Sequence, residues 1–145
     1  MRRWLLRVAV AVVAVIALAG CGDTEPTTPT APTTPTTVAK TETLTGTLAV
    51  SETKIHAFGV QPGTVTATLT SLAPDATIPI GLGVGMWDGL TCNAVLVNAA
   101  AVQGNSLLGT ASAATNICVK VYDVGNLGDT TANYTVTVQY QVIGT

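Results

Sequence analysis

Few side chains in this chain of 145 residues have chemistry to offer beyond packing, and they are widely spaced. The only histidine is His56. A serine or cysteine nucleophile would need it as general base, yet no Gly-x-Ser-x-Gly elbow accompanies it. It alternates in period two with Phe58 and Val60, so a packed or rim position is expected. Asp75, Asp88, Asp123 and Asp129 could in principle pair for glycoside hydrolysis or gather around calcium. Each stands in or beside a turn signal, where aspartates bond their own backbone, and no Asp-x-Asp-x-Asp run occurs. Hence no catalytic residue, metal ligand or cofactor is expected. Trp87 is the most interesting surface candidate. It shares a strand face with Gly81, Gly83 and Gly85, whose bare backbone would leave a trough for a ring or a ligand. Tyr122 also falls on an outward set, and two such aromatics could stack on a sugar. The favoured alternative is that Trp87 covers the glycine backbone, as aromatics do beside strand glycines. The third feature is Cys21, preceded by Leu18-Ala19-Gly20. Small residues at 19 and 20 let the chain lie extended in a narrow protease site, just before a thiol.

The elements around Cys21 fit that use. Arg2, Arg3 and Arg7 form a positive start, followed at residues 8–19 by an unbroken apolar run. Twelve such residues suit a signal-peptide core and are short for a membrane span. The combination resembles the lipobox of bacterial lipoproteins. The resemblance implies cleavage before Cys21 and a diacylglyceryl thioether on its sulfur, commonly with a third, palmitate-type chain on the new N-terminus. One acyl chain binds a membrane only marginally, whereas two or more hold it. Arg2-Arg3 also partly resembles a twin-arginine export signal, which would change the route and not the destination. The expected location is the bacterial cell envelope, anchored to the outer membrane or to the outer face of the cytoplasmic membrane.

Processing changes the charge. Past residue 20 the chain keeps Lys40, Lys54 and Lys120 against eight carboxylates, a net −5, and from residue 38 on the balance is −3. Such a chain has no electrostatic footprint for nucleic acid and no polybasic patch for anionic lipid. Residues 23–37 are low-complexity, with Pro26, Pro29, Pro32 and Pro35 at every third position and threonine in most gaps. Proline at that period favours polyproline II, so residues 22–37 are expected to form a disordered Thr/Pro-rich spacer reaching roughly 50 Å. The expected organisation is a signal peptide at 1–20, the lipidated cysteine and linker at 21–37, and one domain at 38–145.

That domain reads as strands. Val65, Ala67 and Leu69 alternate with threonines, and Tyr134, Val136, Val138, Tyr140 and Val142 alternate with Thr135, Thr137, Gln139 and Gln141. Leu82, Val84 and Met86 alternate with glycines, and Ile117, Val119 and Val121 with Cys118, Lys120 and Tyr122. One apolar and one polar face per run suits a half-buried antiparallel strand. Turn signals at Gln61-Pro62-Gly63, Asp88-Gly89, Gln103-Gly104-Asn105 and residues 125–129 divide about eight strands. These fall near 43–50, 53–60, 63–72, 79–87, 91–98, 106–111, 116–123 and 132–142. Ala99-Ala100-Ala101 is expected to be a loop or a helical turn. The pattern predicts an all-β, antiparallel, jelly-roll-like sandwich.

Gly46-Thr47-Leu48, then His56-Ala57-Phe58-Gly59-Val60 leading into Pro62-Gly63, then Tyr134-Thr135-Val136-Thr137-Val138 resemble the bacterial pre-peptidase C-terminal domain. His56 stands where that family usually has an aromatic residue. The resemblance spans roughly residues 42–140 and implies a non-catalytic, jelly-roll-like accessory module of secreted proteins.

In an exported domain the remaining pair, Cys92 and Cys118, reads as a disulfide. Free thiols and metal ligation are the alternatives, although two cysteines without a second histidine make a poor zinc site. The expectation is a membrane-anchored, non-enzymatic interaction or structural module whose partner is an envelope protein or a glycan. A carbohydrate-binding module using Trp87 and Tyr122 is the alternative.

Overall fold

The computed structural model describes residues 33–144. The signal, the Cys21 lipobox and all but the end of the linker lie outside the described residues. Seven strands occur: β1 (Thr37–Leu48), β2 (Thr53–Ala73), β3 (Ile80–Trp87), β4 (Cys92–Ala101), β5 (Ser106–Ala111), β6 (Thr115–Tyr122) and β7 (Ala132–Ile143). All pairings are antiparallel. They run in the order β1-β7-β2-β6-β3-β4, with β5 also on β2.

The expected eight strands become seven because two of them are one. β2 runs for 21 residues through the supposed Pro62-Gly63 turn. Its first part pairs with β6 in one sheet, and its second part pairs with β7 and β5 in the other. β5 and β6 follow β2 in nearly one register: Gly63 faces Ala111 and Val60 faces Thr115. Between these pairs, residues 112–114 stand against only Gln61 and Pro62. The extra residue bends both chains together, so the Pro-Gly signal marks a corner and not a reversal. Proline removes a ladder donor there without loss. Gly63 has φ +148°, and a Cβ on it would meet Gln141 Cγ at 2.5 Å. The corner also flips the inward parity of β2, which changes from Val60 to Val65, Ala67 and Leu69.

The two sheets close on a single apolar core. Leu44 and Leu48 of β1, Leu69 of β2, Leu82 of β3, Val119 and Val121 of β6, and Val136 and Val138 of β7 meet there. No polar or charged side chain is buried among the described residues. Such burial contributes about 1.5–3 kcal/mol per fully covered Val or Leu. Threonines take the outward positions, and Thr68 Oγ1 and Ser106 Oγ hydrogen-bond across strands at 2.8 Å. Ala99-Ala100-Ala101, expected as loop or helical turn, completes β4. Leu127 was assigned only to a loop, yet it is buried in the core. β1 begins at Thr37, one position inside the segment assigned to the linker.

Candidate functional site

Period two put Trp87 and Gly81, Gly83 and Gly85 on one outward face, and the sheet register keeps them there. The trough itself is closed. Gly81 pairs with Tyr122, and a Cβ on Gly81 would lie 2.2 Å from the Tyr122 ring. The tyrosine lies flat across the bare backbone, with the Lys120 ammonium 4.8 Å from its ring centroid. Gly85 is covered differently: a Cβ there would sit 2.0 Å from the Asn93 carbonyl oxygen. The start of β4 crosses directly over it. That crossing brings Cys92, two strands away in the sheet order, to a Cα separation of 5.8 Å from Cys118. The two cysteines form a disulfide. Gly83 is filled in by Ala94 Cβ, 3.3 Å from its would-be Cβ. The expected cover, Trp87, is therefore replaced by Tyr122 and by the β4 backbone. Trp87 stands half-buried at the end of β3, opposite Cys92. Periodicity within one strand could not reveal this, because the cover comes from pairing with β6 and β4.

His56 points inward and is half-buried, its Nε2 2.9 Å from the Tyr134 hydroxyl. Burial pulls its pKa below the usual histidine range. Tyr134 covers Gly46 as Tyr122 covers Gly81, with its hydroxyl 2.5 Å from a Cβ built on that glycine. Further along β7 the Tyr140 hydroxyl donates to Glu42 Oε2 at 2.5 Å, and this bond holds the Glu42 carboxyl below its ordinary range. Lys40 pairs with the same oxygen at 3.3 Å, and Phe58 lies against Tyr140 with ring centroids 4.7 Å apart. These groups satisfy one another, and of them only Tyr140 borders a concavity, a shallow one it shares with Thr64, Thr66, Gln139 and Gln141.

The aspartates bond their own turns, as turn chemistry predicts. Asp75 accepts from the Thr77 amide at 2.8 Å, and Asp88 from the amides of Leu90 and Thr91 at 2.8 and 2.7 Å. Asp123 accepts from Gly125 and also, at 2.9 Å, from Ser51 across the sandwich end. These donors hold all three carboxyls below their ordinary range, Asp75 and Asp88 chiefly through their own turns and Asp123 chiefly through the Ser51 amide.

Among the concavities of the described residues, the most apolar one was not foreseen. Between β3, β4 and the β5–β6 corner lies a notch of about 280 Å³, lined by Val65, Val84, Met86, Val95, Leu96 and Ile117 among others. Three features create it. A register shift in β4 between the pairs Val84–Leu96 and Gly85–Ala94 expels Val95, which is 71% exposed. Gly109 has no side chain, and Leu96 Cδ1 lies 2.9 Å from its would-be Cβ. The corner at 112–114 then opens the ladder beside it. No lining residue is charged or aromatic. Val97 and Leu108, on the outer surfaces of the same two strands, are also exposed, at 53% and 67%.

The sequence matches no protein-family profile, and no curated protein matches it. Among solved structures it is similar to Aeromonas hydrophila PliG, a periplasmic lysozyme inhibitor of g-type lysozyme. That similarity has 14% identity, covers 72% of this chain and 88% of that one, and has a TM-score of 0.52. A second match is a protein of the disulfide-linked pili that form Bacillus endospore appendages, with 16% identity, 79% and 96% coverage, and a TM-score of 0.46. At 14% identity the likeness to PliG is one of fold.

Proposed function

We propose that this chain is an exported bacterial lipoprotein, held in the cell envelope through acylated Cys21, whose sandwich is a non-catalytic interaction module. Its working surface is the β4–β5 edge with the notch beside it. One observation carries the reading: charge is kept off that edge. No Lys, Arg, Asp or Glu occurs anywhere from residue 89 to residue 119, although the domain carries nine charged residues elsewhere. Exposed Val95, Val97 and Leu108 stand on the two strands concerned. Uncharged surface with exposed aliphatic groups marks interaction sites in exported monomers. Asp75, Asp88, Asp123 and His56 are engaged by neighbouring groups. The segments that resemble the pre-peptidase C-terminal domain fall on β1, β2 and β7, away from that edge. A sugar platform on Trp87 and Tyr122 gains nothing from the geometry, because the Tyr122 ring lies on Gly81. The test has two arms. Cys21→Ser should move the protein from membrane to soluble fractions or leave an uncleaved precursor, and an unmodified Cys21 in the mature wild type would overturn the anchor. Leu108→Asp should abolish crosslinking to envelope components with the melting temperature unchanged, and unaltered crosslinking would overturn the surface.

A further inference from the structure

We propose that the notch beside β4 is a binding site for a single unbranched hydrocarbon chain carrying a hydrogen-bond-accepting head, such as a fatty acyl group. The proposal rests on the β4–β5 edge being the working surface and adds the chemistry of what it takes. The walls are aliphatic: Val65, Val84, Met86, Val95, Leu96 and Ile117 face a volume of about 280 Å³. An apolar cavity of about 150 Å³ accommodates a six-carbon ring, so this notch takes a chain on the order of ten carbons. A leucine or phenylalanine from a protein partner would leave nearly half of it empty. A sugar finds no ring to stack on and no carboxylate or amide side chain to bond, because none lines the notch.

The rim supplies a head-group contact of the right kind. Thr110, Ser112 and Thr115 line the notch, and none of their hydroxyls makes a hydrogen bond within the described residues. The amides of residues 112–114 stand outside both ladders, because the corner sets these three residues against Gln61 and Pro62. Donors with no attached charge suit a carboxylate or ester oxygen. The site is also left open by construction. Val95 is expelled from β4 by the register shift, and Met86, at the other wall, is 46% exposed. Two aliphatic side chains flanking an uncovered apolar notch keep apolar surface in water, and an alkyl occupant would remove it from water.

Met86 is the only methionine besides Met1, so its methyl group is a clean reporter. The experiment is NMR on the methyl-labelled full-length chain, titrated with sodium decanoate below its micelle concentration. The expected result is a saturable shift of the Met86 methyl, with contacts to decanoate methylenes, and no shift with butanoate at equal concentration. Ala113→Phe, which fills the notch from an exposed position, should weaken binding at least tenfold. Should that variant lower the melting temperature, Val95→Asp serves instead and should weaken it likewise. Vesicles of phosphatidylglycerol form a second arm: a Met86 shift with vesicles identifies membrane lipid as a source, and one with decanoate alone identifies the free acid. Silence in both, or a shift that neither variant alters, overturns the proposal. Val38→Asp, on β1 and off both the notch and the β4–β5 edge, should leave decanoate binding unchanged; crosslinking lost in Leu108→Asp while decanoate fails to bind would defeat the ligand assignment and leave the surface assignment standing.

Discussion

His56 and the two tyrosines that lie on glycines carry what is specific at the scale of single residues. His56 is depressed by burial, so the fold favours its neutral ring, with the Tyr134 hydroxyl 2.9 Å from Nε2. Its effect on stability is absent above its unfolded pKa near 6.5. As pH falls through that value the unfolded chain gains a proton that the folded one resists, and stability drops until the folded pKa is passed. The depressed carboxyls of Glu42, Asp75, Asp88 and Asp123 act in a lower window. Their stabilisation is complete above the unfolded carboxylate range and is lost as pH falls through their folded values. Chemical denaturation between pH 7 and 5 should therefore show declining stability in the wild type, and His56→Gln, which can keep the Tyr134 hydrogen bond, should flatten that decline. An unchanged slope would mean the ring is not desolvated. The Tyr122 assignment makes a sharper claim. Gly81 tolerates no Cβ because Tyr122 occupies the space at 2.2 Å. Gly81→Ala should destabilise the wild type, and Tyr122→Ala should cost about 1–2 kcal/mol, less than the 3–5 of a fully buried aromatic. The two changes should not add, since removing the ring makes room for the methyl. Additive losses in a double-mutant cycle would deny the contact.

At the scale of elements, what could be read from the sequence divides along a physical line. Alternation within a strand is a local property, and it located β3, β5, β6 and β7 to within a few residues, because apolar side chains alternate with small or polar ones along each. Relations between strands are not local. Pro62-Gly63 reads as a turn until β5 and β6 are seen to follow β2 on both sides of it. Likewise Gly85 reads as one member of an open stripe until β4 is seen to cross it, with the Asn93 carbonyl 2.0 Å from its would-be Cβ. The notch escaped for the same reason: it is made by a slipped register, a missing side chain at Gly109 and a corner, none of which has a pattern in one segment. The disulfide was legible, because a cysteine pair in an exported chain is a compositional signal. It closes a loop of sequence separation 26 that contains all of β5, and the chain-entropy estimate for such a loop is about 3.5 kcal/mol. Replacing both cysteines with serine should lower the unfolding free energy by roughly that amount, while the core shared by both sheets keeps the domain folded; loss of cooperative unfolding would show the bond to be indispensable. Gly63→Ala should be costly for its size, more than about 1 kcal/mol, since its φ is +148° and Gln141 fills the space beside it.

At the scale of the whole molecule, charge separates two ways of staying on a membrane. A peripheral protein held by electrostatics needs basic residues facing anionic lipid, each worth about 1 kcal/mol near the surface. Here the lysines number three past the signal, against eight carboxylates. Lys40 is paired with Glu42 and Lys54 with Glu52, and Lys120 lies over Tyr122. The folded domain is thus weakly repelled by an anionic bilayer, and the repulsion is screened beyond about 8–10 Å at physiological salt. An acyl anchor obeys the opposite rule: its free energy comes from buried methylenes, about 0.8 kcal/mol each, and salt leaves it intact. If Cys21 carries the anchor, washing membranes with 1 M salt should release none of the protein, and raising salt from a low value should, if anything, tighten residual contact by screening the domain's net −3. Detergent should release it fully, and any Cys21→Ser protein that is cleaved should be soluble at every salt concentration. Quantitative immunoblotting of the washed fractions reads all three. Release by salt alone would mean that the membrane is held by surface charge, which neither the composition nor the ion pairing of this domain provides for.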